Sequence, residues 1–181
     1  MNKTVIKTVM LSVLLLVSSA EAFEIRTGLI SLSGVEGQYT YSDSSTHYLH
    51  DSNNVLLEIG GYTNNDHEGF SFGWRVGGNY ALKDGNNYRG SSVETGISIG
   101  YTLLKDLDIK GEFGLGWNTV SDRYSALTTY VGLGVDYAIV GHYIFGVAVR
   151  KFNDFANRDA PASDSYIYAP VASILNIGYR F

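Results

Sequence analysis

The chain has 181 residues and a net charge of −5, with no cysteine, 21 glycines, 14 tyrosines and 2 prolines. Its length suits a single domain. The acidic balance excludes a nucleic-acid binder, which needs a basic footprint, and the lack of cysteine excludes a disulfide-stapled fold. Abundant glycine and aromatic residues with few prolines point to many strands with unbroken ladders.

Residues 1–22 open with Lys3 and Lys7, continue in an apolar run from Val9 to Val17, and end Ser18-Ser19-Ala20-Glu21-Ala22. A basic start, a short apolar stretch and an Ala-x-Ala end predict a secretory signal peptide over 1–22, cut before Phe23. The apolar run is too short for a membrane-spanning helix, which takes about 20 residues. No cysteine stands near the cut, so a lipid-anchored N-terminus is excluded. The expected mature domain is 23–181, and it becomes more acidic on losing Lys3, Lys7 and Glu21. No later run approaches a transmembrane helix. The export signal then leaves a periplasmic protein, a secreted one or a membrane barrel.

Eight segments alternate between apolar and polar or small residues, the period of a strand. The first, Glu24–Tyr41, alternates poorly between Ile25 and Gly37, which predicts a bulge there. The second is Asn54–Thr63. In the third, Gly69–Leu82, Phe70, Phe72, Trp74, Val76 and Tyr80 oppose Ser71, Gly73, Arg75, Gly77 and Asn79. The fourth, Ser92–Leu104, sets Val93, Ile97, Ile99, Tyr101 and Leu103 against Glu94, Gly96, Ser98 and Gly100. The fifth, Leu107–Val120, sets Ile109, Phe113, Leu115 and Trp117 against Asp108, Lys110, Glu112 and Gly114. The sixth, Leu127–Ile139, sets Val131, Leu133, Val135 and Tyr137 against Tyr130, Gly132, Gly134 and Asp136. In the seventh, His142–Phe152, Tyr143, Phe145, Val147 and Val149 oppose Gly146, Ala148 and Arg150. In the last, Ile167–Phe181, the row Leu175, Ile177, Tyr179 and Phe181 opposes Asn176, Gly178 and Arg180.

Such alternation also fits a soluble sandwich, apolar inside and polar outside. Two features favour a membrane barrel. Glycine crowds the polar face, which weakens an exposed strand but suits a narrow lumen. The apolar face is aromatic at its ends, as in interfacial girdles: one ring would hold Phe70, Tyr101, Tyr137, Tyr143, Tyr179 and Phe181, the other Tyr39, Tyr80, Trp117 and Tyr168. Gaps after the second, fourth and sixth strands are short, and those after the first, third, fifth and seventh are mostly longer. Short inner turns, longer outer loops and an even strand number characterise outer-membrane barrels. Pairing the first strand with the eighth would remove the free edges that a bilayer forbids.

The closing Phe181, the alternation before it, the strand number and the loop asymmetry resemble the small eight-stranded outer-membrane barrels of the OmpA transmembrane-domain and OmpX type. The resemblance implies an all-β, up-and-down antiparallel barrel in the outer membrane. It also implies that Leu175, Ile177, Tyr179 and Phe181 act as the signal read by the barrel-assembly machinery. No peptidoglycan-binding domain follows Phe181, so that role of full-length OmpA proteins is not expected.

Nine ionisable residues fall on the inward face: Glu58, Arg75, Glu94, Asp108, Lys110, Glu112, Asp136, Arg150 and Arg180. An eight-stranded interior is just wide enough for side chains to fill, and charges in it must pair. The expected lumen is therefore plugged by salt bridges. The alternative is a narrow, mildly cation-preferring pore, kept open by the inward glycines. A lipid A-modifying enzyme is a second alternative, with His47 or His50 serving Ser121 and Asp122. His47, His50 and Asp51 have a spacing that could hold a metal, but no fixed scaffold joins them, and neither metal nor cofactor is expected. The polar, tyrosine-bearing loops suit a surface ligand. The expectation is a monomer with outer-membrane lipid around it and a structural or surface-interacting role.

Overall fold

The computed structural model describes residues 22–40, 46–49, 51–63, 69–81, 91–104, 106–119, 125–140, 142–154 and 165–181. The expected signal peptide up to Glu21, the His50, His67, Ser121 and Asp122 positions, and the side chains of Tyr39, His47 and Tyr168 lie outside the described part.

Nine strands follow in order: β1 (Ala22–Thr40), β2 (Thr46–Leu49), β3 (Ser52–Tyr62), β4 (Gly69–Ala81), β5 (Ser91–Leu104), β6 (Leu107–Thr119), β7 (Ser125–Ile139), β8 (Tyr143–Asp154) and β9 (Ser165–Arg180). All pairs are antiparallel, and β1 pairs with both β3 and β9, so eight strands close on themselves. The fold is an up-and-down β-barrel with no helix among the described residues. Closure satisfies the backbone groups that an open edge would leave bare. The short β2 is the element the sequence did not announce; it pairs with the far end of β1 from Gly37↔Leu49 to Thr40↔Thr46, inside what read as a loop.

Two local features shape the long-loop end. The bulge expected in the first strand is present between Ser33 and Val35. Gly34 holds it with φ of +84°, and its N–H donates to Asp51 Oδ1 at 2.8 Å. The β8–β9 ladder ends at Lys151↔Val171. The next residue of β9 is Pro170, which has no N–H to offer. Above that point β9 continues along β1 alone, to Gln38↔Ser165.

The burial pattern reverses that of a soluble protein. Leu133, Ile177, Phe113, Phe145 and many more large apolar side chains are exposed, while Glu24, Glu94, Arg150 and Lys110 are buried. Phe70 and Tyr80 bound the apolar stretch of β4; the ten steps between them at about 3.3 Å each, tilted by about 40°, give about 25 Å, the height of a membrane belt.

Candidate functional site

Among the described residues, the lumen is where the fold gathers charged groups. All eight wall strands send every second side chain inward, and most of those side chains are polar, so they must find partners within the cylinder.

At the short-turn end Asp136 receives both Nη atoms of Arg26, at 2.8 and 2.7 Å, and Lys110 Nζ at 2.7 Å. Glu24 takes Arg26 Nε at 2.8 Å and Arg180 Nε at 2.7 Å on its two oxygens. Asp108, half-exposed at the rim, lies 3.7 Å from Arg180 Nη2. The ring of Tyr62 stands among the three cations, 5.9 Å from Arg26, 5.9 Å from Lys110 and 6.0 Å from Arg180. Such contacts add cation–π attraction in a dry setting.

Mid-lumen, Arg150 is the hub. Its Nη2 donates to Glu58 at 2.7 Å, its Nη1 to Glu94 at 3.1 Å and its Nε to Glu112 at 3.0 Å. One guanidinium thus ties three strands to β8, a use of the planar five-donor fork that lysine could not reproduce. Arg75 Nη1 reaches Glu112 at 2.8 Å and Glu58 at 3.4 Å, and its Nε donates to Tyr130 Oη at 3.1 Å. Lys110, 3.6 Å from Glu112, links this group to the lower one. Tyr130 crosses the lumen under Arg75, whose guanidinium is 4.9 Å from the ring.

Toward the long-loop end the two walls differ. One carries a polar chain: Asn79 donates to Glu94 at 3.0 Å, Ser92 to Glu94 at 2.9 Å, and Asn118 to Thr128 at 2.7 Å. The other buries Ile30, Leu32, Leu56, Phe152, Ala172 and Ile174. Phe152 meets Tyr130 with ring centroids 5.4 Å apart.

The inward glycines are filled, not empty. A Cβ on Gly96 or Gly114 would collide with the Tyr130 hydroxyl, one on Gly73 with the Tyr62 ring, one on Gly77 with Glu58, and one on Gly178 with Arg26. Each glycine makes way for a long side chain lying across the cylinder. The pore alternative relied on these glycines as open space, and at these positions the space is taken.

Glu58, Arg75, Glu94, Lys110, Glu112, Asp136, Arg150 and Arg180 all lie inside and buried, and Asp108 lies at the inner rim. Sequence reasoning missed Glu24, Arg26 and Tyr62. On the outer wall Phe70 and Tyr101 meet edge to face at 5.1 Å, Tyr143 and Tyr179 at 5.3 Å, and Tyr179 and Phe181 at 5.0 Å. Tyr137, Tyr80 and Trp117 are also exposed there, as are Leu175 and Ile177. Phe181 N–H donates to Phe23 O at 2.8 Å and Arg180 N–H to His142 O at 2.7 Å, which anchors the last strand on both sides. His142 stacks on Tyr179 and places Nδ1 3.1 Å from Arg180 O. No group of three or more metal-ligating side chains occurs among the described residues.

No protein-family model matches the chain, and no curated protein matches its sequence. Solved structures do match its fold. The outer membrane protein OprG from Pseudomonas aeruginosa is 14% identical with a TM-score of 0.57, covering 90% of this chain and 97% of its own. The N-terminal β-barrel domain of OprF from the same organism is 12% identical with a TM-score of 0.54, over 90% and 98%. Ail, the attachment invasion locus protein of Yersinia pestis, is 9% identical with a TM-score of 0.51, over 88% and 98%. The chain has the fold of the small eight-stranded outer-membrane barrel. A closed sheet with this apolar exterior is what a bilayer requires, and OprG is by its name an outer membrane protein.

Proposed function

We propose that the protein is a monomeric, non-enzymatic barrel of the outer membrane whose plugged lumen makes it a rigid carrier for its surface loops, which meet a ligand outside the cell. The observation that carries the closed lumen is Arg150, 1% exposed and bonded to Glu58, Glu94 and Glu112 across the cylinder. A conducting path would have to separate these pairs, at several kcal/mol for each ion left alone. Attachment is in the name of Ail, the attachment invasion locus protein, and a surface ligand is proposed for this chain. For this chain it rests on the loop composition alone.

The domain division into a signal peptide over 1–22 and a barrel over 23–181 belongs to the same proposal. So does recognition of Leu175, Ile177, Tyr179 and Phe181 by the assembly machinery. Planar-bilayer recording tests the plug. The pure protein should give no stable unitary conductance, whereas reproducible steps with cation preference would establish the pore instead. Mass analysis of lipid A acyl chains in cells with and without the protein should show no difference; a change would establish the enzyme.

A further inference from the structure

At the short-turn end, two neighbouring turns expose aliphatic side chains beyond the aromatic girdle. In the β5–β6 turn the register shifts between Thr102 and Leu104. A regular strand would send Leu104 inward, yet Leu103 is 44% exposed and Leu104 67%. In the β7–β8 turn Val140 takes a φ of +55° and is 85% exposed, more than any other large hydrophobic side chain among the described residues. A left-handed backbone is unfavourable for a branched side chain. Two different irregularities of the backbone thus each add an aliphatic side chain to the surface. The two turns are tied together, because β6 pairs with β7 and Ala138 N–H donates to Asp106 O at 2.7 Å.

This patch continues the membrane-facing wall. Leu103 and Ile139 follow Tyr101 and Tyr137 in the same outward rows, and Ile139 pairs with Tyr143. Leu104 and Val140 each stand three residues past a girdle tyrosine. At about 3.3 Å per residue and a tilt of about 40°, that is no more than about 8 Å. The headgroup layer of a bilayer is about 5–7 Å thick on each side, so the patch reaches through it and not far beyond. The β3–β4 side, across the cylinder, differs. There the described residues past Tyr62 and Phe70 are Thr63 and Gly69, neither with an apolar side chain.

We propose that the β5–β6 and β7–β8 turns form a lipid-binding edge, seated between the headgroups and acyl chains of the leaflet around the short-turn end, and that the barrel leans toward this side. The occupant is lipid because the patch runs on from the wall that the bilayer covers. Asp106, exposed in the first of the two turns, limits the depth: a charge is tolerated at the interface and not in hydrocarbon. The unfavourable backbone at Val140 has a use, since it holds the valine where lipid and not water receives it. The proposal rests on the barrel's place in a bilayer, on which a label at Leu133 reports separately.

The test uses the whole folded chain, with no other protein, in phospholipid vesicles. A single spin label is placed at Leu103 or at Thr63, and its relaxation is measured against dissolved oxygen and a water-soluble nickel complex. The Leu103 label should favour oxygen and the Thr63 label nickel. In the double variant Leu104→Asn, Val140→Asn the Leu103 label should shift to the access ratio found at Thr63. Asparagine tolerates the left-handed backbone, so the β7–β8 turn keeps its shape. Nickel access at Leu103 equal to that at Thr63 without the double variant would overturn the proposal and assign the patch to a protein partner. An unchanged Leu103 ratio in the double variant would overturn it as well.

Discussion

The two faces of β7 show how one strand serves two solvents. Val131, Leu133, Val135 and Tyr137 point outward and are exposed; Tyr130, Gly132, Gly134 and Asp136 point inward. Outward, cohesion comes from the bilayer and asks only for apolar surface, so shape matters little and charge matters greatly. Inward, cohesion comes from matched charges and from glycines that admit them, so both shape and charge matter. The rule for a soluble core is thus divided between the faces, and substitutions separate them.

The largest effect is expected at the inward hub. Arg150→Met leaves Glu58, Glu94 and Glu112 without their shared partner, and removing one member of a buried ionic group costs about 3–5 kcal/mol. Urea unfolding in lipid vesicles measures it. Adding Glu94→Gln should recover part of the loss, because Glu58 and Glu112 keep Arg75 while the carboxylate that loses its ion pair is neutralised. If Arg150→Met alone unfolds like wild type, the inward face is not held by charge.

Next comes the outward face. Leu133→Arg puts a cation into hydrocarbon at a position 71% exposed, at a cost of about 2–4 kcal/mol near the bilayer midplane. The same unfolding assay reads it, and Leu133→Phe should be nearly neutral. A tolerated arginine would mean that this face is wetted by water. Gly114→Ala is a smaller, inward shape test. Its Cβ meets the Tyr130 hydroxyl and the Thr95 carbonyl, and overpacking of this kind costs about 1–3 kcal/mol. The smallest is Tyr143→Ala, which removes the edge-to-face contact with Tyr179, beyond its apolar area worth about 1 kcal/mol; a lowered unfolding midpoint checks it.

Period-two alternation was enough to find all eight wall strands, because the bilayer enforces it along each one. It failed to expose Glu24 and Arg26 as lumen residues. Farther along β1, Ile30 and Leu32 face inward while Ser31 and Ser33 face outward, so polarity inverts where the strand reaches the apolar part of the lumen. The first strand then reads as mixed although its period is intact as far as the bulge at Gly34. The pairing Glu24↔Arg180 would have recovered the pattern, had the closing register been known. Tyr62 was hidden differently: an aromatic residue at a strand end reads as girdle, yet it serves as a platform for three cations. The strand β2 was invisible because four residues inside a polar loop carry no period. The hub role of Arg150 depends on which strands face each other across the cylinder, and no local pattern encodes that.

The central claim is that lipid, not water, contacts the face bearing Leu133. A chain without cysteine allows a single spin label at Leu133, Val135 or Val147 in vesicles, with its relaxation measured against dissolved oxygen and a water-soluble nickel complex. High oxygen access and negligible nickel access at all three positions is the predicted result; ready access of the nickel complex to Leu133 would contradict the account.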